Sequence, residues 1–137
     1  MNIKALVVDD HDEIRDLFVM FFKMKGIESE SINNPTCALK AFKDGQFDFI
    51  VTDLEMHLDS NAGYKFIQEI RKLDTSIPII MVTGKIFEDA RALGLEYGAN
   101  HVLHKPVDLG ELIAIIEMEM AEVVAIKKAK AKAENLV

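Results

Sequence analysis

Two adjacent carboxylates, Asp9 and Asp10, close the apolar run ALVV, and a third, Asp53, closes FIVT. Thr83 closes IIMV, and Lys105, followed by Pro106, comes directly after HVLH. Each of these polar groups stands where a buried segment ends. Three carboxylates packed dry against one another repel by several kcal/mol, so either their pKa values rise or a cation sits among them. A hard divalent ion, Mg²⁺ above all, suits such a set, because it takes a few carboxylate or carbonyl oxygens and keeps several waters. A cation, an ammonium and a hydroxyl that each reach a separate phosphoryl oxygen, with a carboxylate left to attack phosphorus in line, form a site for phosphoryl transfer. Asp53 is the central candidate for that nucleophile.

The elements that must hold these groups alternate along the chain. Short apolar runs predict strands over Ile3 to Val8, Ile27 to Ser31, Phe47 to Thr52, Ile77 to Val82 and His101 to His104. Between and after them lie five segments of helical period, which is the pattern of a parallel sheet covered by helices. The first, third and fourth strands are apolar nearly throughout, as expected of strands covered on both faces. The second, IESES, alternates and belongs at an edge. The first helix carries Ile14, Leu17, Phe18 and Phe21 as its core face. The second opens with Asn34 as cap and Pro35 at the first helical position, carries Ala38, Ala41 and Phe42, and ends near Gly45. The third buries Tyr64, Ile67 and Ile70 or their neighbour Phe66, and the fourth offers Ala90, Leu93 and Tyr97 before Gly98. The fifth is capped by Asp108 and carries Leu112, Ile113, Ile116, Met120, Val123 and Val124 into an Ala/Lys-rich end that frays toward Val137. Right-handed crossovers bring all the strand ends to one rim, where open α/β sheets bind ligands. Asp9, Asp10, Asp53, Thr83 and Lys105 then share that rim.

Composition narrows the class. The chain has 137 residues, half of them hydrophobic, with no repeat and no linker, and is expected to form one domain. Sixteen basic against twenty-three acidic residues give a net charge of −7, which disfavours nucleic acid and anionic membranes as partners. The one basic cluster, Lys127 to Lys132, reads as a solvated helix end. No apolar run approaches the roughly 20 residues of a membrane helix, and the first residues lack the features of a secretion signal. A single cysteine, Cys37, excludes an internal disulfide and agrees with a cytoplasmic location. Four histidines, His11, His57, His101 and His104, fall near strand ends, but their spacing matches no zinc motif.

Taken together, VVDD, the aspartate of IVTDLEM, VTG and HKP resemble the receiver domain of two-component response regulators, over residues 3 to about 122. The resemblance implies a flavodoxin-like (βα)₅ doubly wound parallel sheet in the order 2-1-3-4-5. Residues 1–122 would be the receiver and 123–137 a helical extension of the last helix. It further implies that Asp9 and Asp10 bind Mg²⁺ together with Asp53 and the backbone carbonyl of Glu55. Asp53 would accept a phosphoryl group from a histidine kinase or a histidine phosphotransfer protein, Thr83 would sense it and Lys105 would bridge to it. The Lys105–Pro106 bond would be cis, as is typical of receivers. Such a chain is a signalling protein with self-phosphorylation and its reversal as its only chemistry, not an enzyme acting on another substrate.

Three positions depart from the family pattern. His57 stands where receivers usually carry a proline, and Gly63 comes two residues late, so the loop after Asp53 is expected to be longer and differently shaped. Glu55 puts a carboxylate where the family's side chain influences hydrolysis of the phosphoryl group. Val102 stands where many receivers carry a switching Tyr or Phe, so the usual threonine-to-aromatic coupling is not expected. No output domain is recognisable after the receiver, which points to a stand-alone module that changes its affinity for a downstream protein on phosphorylation. The alternatives are a phosphorelay intermediate, a phosphorylation-independent module that dimerises through Met120, Val123, Val124 and the stem of Lys127, and a phosphoester hydrolase, for which no base or pocket signature is present.

Overall fold

The computed structural model describes residues 2–85 and 87–135. The elements run β1 (Ile3–Val8), α1 (Asp12–Met24), β2 (Ile27–Ile32), α2 (Pro35–Asp44), β3 (Phe49–Asp53), α3 (Ala62–Leu73), β4 (Ile79–Thr83), α4 (Phe87–Tyr97), β5 (His101–His104) and α5 (Leu109–Asn135). The five strands form one parallel sheet in the order β2-β1-β3-β4-β5, the flavodoxin-like arrangement expected, with the alternating IESESI strand at an edge.

Alternation along the central strands divides the core in two. Leu6 and Val8 of β1, Ile50 of β3 and Ile79 and Met81 of β4 face α2, α3 and α4, where they meet Ala38, Ile67, Ile70 and Ala90. Their neighbours Ala5, Val7, Phe49, Val51, Ile80 and Val82 face α1 and α5, where they meet Phe18, Phe22, Leu112, Ile116 and Met120. Both faces of β3 and β4 are therefore buried along their whole length, which is why these strands read as continuous apolar runs.

Two helices turn differently from the predicted faces. Leu17 of α1 is 50% exposed, and Phe22, fully buried with its ring edge-on to Phe49 at 5.6 Å between centroids, takes the core position. Phe18 and Phe22 are four residues apart and stack on one line of the helix, whereas Leu17 lies about 100° away. In α4, Leu93 is 41% exposed and Gly94 lies inward, where a Cβ would come within 3 Å of Val102 and Met81. A glycine lets that backbone approach the sheet, a device invisible to a hydrophobic period. β3 begins at Phe49 because Phe47 leaves the sheet to stack on Phe42, under the Lys4 ammonium. The other predicted helix faces and caps hold. Asn34 Oδ1 accepts the Cys37 N–H at 2.8 Å, and Asp108 Oδ1 accepts that of Glu111 at 3.1 Å.

The length of α5, 27 residues, is supported at its far end. The Lys127 ammonium meets Asp48 at 3.0 Å and donates to the Asn2 carbonyl, closing the helix over the amino-terminal edge of β1 and β3. Met120 is buried, Val123 and Val124 are half-buried, and the Lys127 stem is committed to its own domain. The expected fraying at Val137 lies outside the described residues. Among the described residues no helix is long and apolar enough to cross a membrane.

The two faces of α1 make the core assignment testable. Phe22→Ala is expected to cost about 3–5 kcal/mol, the range for emptying a buried aromatic site. Leu17→Ala should cost under about 1 kcal/mol, as for an exposed position. Urea denaturation followed by circular dichroism would show a large shift of midpoint for the first and little for the second.

Candidate functional site

Parallel pairing in register brings the predicted residues to one rim. Val8, the last residue of β1, pairs with Thr52, Asp53 pairs with Val82, and Thr83 pairs with His104. Asp9 and Asp10 follow β1 and Lys105 follows β5, its N–H bonded to the Thr83 carbonyl at 2.8 Å. The Lys105–Pro106 peptide bond is cis.

The centre is a buried pair of acids held by one ammonium. Asp9 is 1% exposed and Asp53 is 3% exposed, and Lys105 Nζ lies 3.4 Å from Asp9 Oδ2 and 3.2 Å from Asp53 Oδ2. Asp53 Oδ1 accepts the Leu54 N–H at 2.8 Å. Burial first, and then the Asp9 charge, push the Asp53 carboxyl up from its ordinary 3.8 to about 6, against the opposing pull of Lys105 and the Leu54 N–H. Asp9 is held in turn by its neighbours. Its Oδ1 accepts the His11 N–H at 2.9 Å, and its carbonyl accepts Arg15 Nη1 at 2.8 Å.

Asp10 faces both the cluster and the next loop. Its Oδ2 accepts the His57 N–H at 2.9 Å, while its Oδ1 is buried and accepts no hydrogen bond, although His11 Nδ1 stands 3.0 Å away. One ligand atom from each of Asp9, Asp10, His11 and Asp53 lies within 4.8 Å of all the others. A buried carboxylate oxygen without a donor, in a set dominated by oxygen atoms, is what a divalent cation would satisfy, so the residues present fit a metal.

The long loop after β3 folds back as a two-residue hairpin. Met56 and Asp59 exchange both backbone hydrogen bonds, at 3.1 and 2.9 Å, and the residues between them, His57 and Leu58, have φ of 50° and 64°. This is the backbone of a type I′ turn, which Asn-Gly fills without strain and His-Leu does not. His57 fastens the hairpin, since its Nε2 lies 2.7 Å from the Asn33 carbonyl, while the Leu58 side chain is fully exposed. Gly63 explains the late glycine. Its N–H donates to the Leu54 carbonyl at 2.7 Å, and a Cβ there would lie 2.6 Å from the Asp53 carbonyl oxygen.

Thr83 and Glu55 border this centre. The Thr83 side chain is buried and its hydroxyl accepts the Lys85 N–H at 3.0 Å. The Lys85 ammonium crosses to the Ser60 carbonyl at 3.1 Å and stands 3.9 Å from the exposed Glu55 carboxylate. Val102 is buried in β5. Of the four histidines only His11 joins the acidic cluster; His57 serves the hairpin, and His101 pairs with Glu119 of α5 at 2.8 Å. Arg15 and Lys85 are missing from the sequence reading. Arg15 had one signal, its place one and a half helical turns after the acidic pair, whereas Lys85 had only its closeness to Thr83.

Comparison with known proteins agrees with this geometry. The family model described as the response regulator receiver domain matches residues 5–117. Among curated proteins, Regulatory protein AtoC of Escherichia coli is 32% identical over 114 residues, which are 83% of this chain and 24% of AtoC. The Transcriptional regulatory protein CpxR homolog of Haemophilus influenzae is 33% identical over 114 residues, 83% of this chain and 48% of that protein. The chain therefore spans from a quarter to a half of these relatives. Among solved structures, the chemotaxis response regulator CheY4 of Vibrio cholerae superposes with a TM-score of 0.78 at 26% identity, covering 87% of this chain and 99% of that one.

Two outcomes follow from the site. An acid whose pKa is higher in the folded chain binds extra protons there, so stability falls as pH rises through the window between 3.8 and about 6. With cations removed by chelator, Asp53→Asn is expected to abolish that fall and to stabilise the protein by about 2 kcal/mol above pH 6, with no gain below pH about 4. Thermal melts across this range, with and without the substitution, measure it. In the hairpin, Leu58→Gly should raise stability by about 0.5–1 kcal/mol by removing a side chain from a left-handed backbone, read as a higher urea midpoint.

Proposed function

The chain belongs to the response regulator receiver domain family, and from that premise we propose that Asp53 accepts a phosphoryl group from a phosphohistidine in a Mg²⁺-dependent reaction. The observation that carries this reading is the buried Asp9–Lys105–Asp53 triangle beside the unsatisfied Asp10 Oδ1. Asp9, Asp10, Asp53 and the Glu55 backbone carbonyl hold the cation, which supplies positive charge against the phosphoryl oxygens when bound. A carboxylate oxygen of Asp53 forms the new bond to phosphorus. The N–P bond of the donor breaks, and its electron pair stays on the imidazole nitrogen, which takes up a proton. Lys105, already between two carboxylates, is placed to follow one phosphoryl oxygen as charge moves from Asp53 onto the new group. At neutral pH a carboxyl titrating near 6 is mostly ionised and so able to attack.

Phosphorylation is read through Thr83. Its hydroxyl now serves the Lys85 backbone, and turning it toward a phosphoryl oxygen removes that acceptor. Because the Lys85 ammonium is tied to Ser60, the change passes to the loop carrying the hairpin, and the surface around this loop and α4 is the one a downstream protein reads. A switch of this kind needs no swinging aromatic side chain, in keeping with Val102 packed in β5.

A histidine kinase or histidine phosphotransfer protein is the donor, and the cytoplasm is the compartment in which such donors act. The acidic charge of this chain argues against its own contact with nucleic acid. It does not extend to any longer protein, since the CpxR homolog is named a transcriptional regulatory protein and is twice as long as the matched region.

Incubation with acetyl phosphate and Mg²⁺, followed by intact mass spectrometry, tests the reading. One phosphoryl adduct is expected, absent without Mg²⁺ and absent in Asp53→Asn. An adduct that persists in Asp53→Asn would overturn the assignment of the acceptor.

A further inference from the structure

His11 is the one residue of the cluster that the receiver reading does not use. Its backbone N–H holds Asp9, but its imidazole is turned toward both acids, with Nδ1 3.2 Å from Asp9 Oδ1 and 3.0 Å from Asp10 Oδ1. The contact with Asp10 is not a hydrogen bond, and it leaves Oδ1 of that residue buried and unsatisfied. An ion bound through nitrogen and oxygen at about 2.0–2.2 Å sets ligand atoms at right angles roughly 3 Å apart. His11 Nδ1 already stands at this spacing from an oxygen of each acid, and one ligand atom of each of the three residues lies within 4.8 Å of the others.

We propose that His11 Nδ1 is a direct ligand of the cation at this rim, and that it gives the site a preference for borderline divalent transition ions such as Co²⁺ or Zn²⁺ over Mg²⁺. The proposal rests on the reading of the rim as a cation site. Mg²⁺ is held by oxygen and gains little from an imidazole, whereas the transition ions bind nitrogen well. With its proton on Nε2, His11 would present the Nδ1 lone pair to an ion in place of its contact with Asp9 Oδ1, and its side chain is 64% exposed, so no core packing fixes it elsewhere. The carboxylates supply the charge and His11 sets the selectivity.

Isothermal titration of the untagged protein with Co²⁺ and with Mg²⁺ tests this, together with the visible spectrum of the Co²⁺ form and the imidazole nitrogen resonances of His11. In His11→Ala and His11→Gln the ratio of Co²⁺ to Mg²⁺ affinity is expected to fall tenfold or more, with a changed Co²⁺ spectrum. Direct binding also requires the Nδ1 resonance of the wild-type protein to shift or broaden with Co²⁺. An unchanged ratio and spectrum, with both ions still bound and lost in Asp10→Asn, would overturn the role of His11 and leave the cation site standing. If neither ion binds, or if Asp10→Asn binds both as the wild-type protein does, the cation site itself falls, and the inference with it.

Discussion

The structure turns on the burial of two carboxylates, Asp9 and Asp53, against a single ammonium, Lys105. One positive charge cannot neutralise two negative ones, and the Asp9 charge adds to the burial that chiefly raises the pKa of Asp53. The surroundings of the pair all act on that imbalance. The Leu54 N–H, the His11 N–H and Arg15 pin the acids in place, and the open side of the cluster presents Asp10 Oδ1 without a donor. A centre with fixed excess negative charge is well suited to binding a cation, whose positive charge relieves that repulsion and would then face the anionic oxygens of an arriving phosphoryl group.

Such a centre needs a scaffold that does not relax. Both faces of β1, β3 and β4 are packed, so their carboxyl ends cannot slide without emptying one of the two cores. Parallel register then carries Asp9, Asp53, Thr83 and Lys105 to one level although they are far apart along the chain. At the opposite end of the sheet, Lys127 ties the long α5 to Asp48 and Asn2. That contact closes the base of the sheet.

The hairpin after β3 stands beside this rim. Two non-glycine residues at positive φ are an expensive way to turn the chain, and the cost is met by bonds from His57 to Asp10 and Asn33. The hairpin is thus wired to the same carboxylate that faces the cation cluster. Lys85 wires the neighbouring loop to it through Ser60. A change of charge at the centre therefore has two short routes to the surface, neither of which needs an aromatic residue at Val102.

The alternation of apolar runs with helical periods was enough to predict five strands and five helices, and the polar residues closing four of the strands marked the rim. These features are local. A strand buried on both faces must be apolar nearly throughout, and a carboxylate at its end marks the rim where apolar packing gives way to polar groups. Caps such as Asn34 and Asp108 were legible for the same reason, since they act within one turn. Only the tertiary structure decided which of Leu17 and Phe22 enters the core, that Gly94 and Gly63 are places of close backbone approach, and that the loop at His57 turns as a strained hairpin onto Asp10. It also decided that His11 joins the carboxylates while the other histidines do not. These outcomes depend on distances between segments remote in sequence, and a period or a motif carries no information about how closely two distant backbones pass.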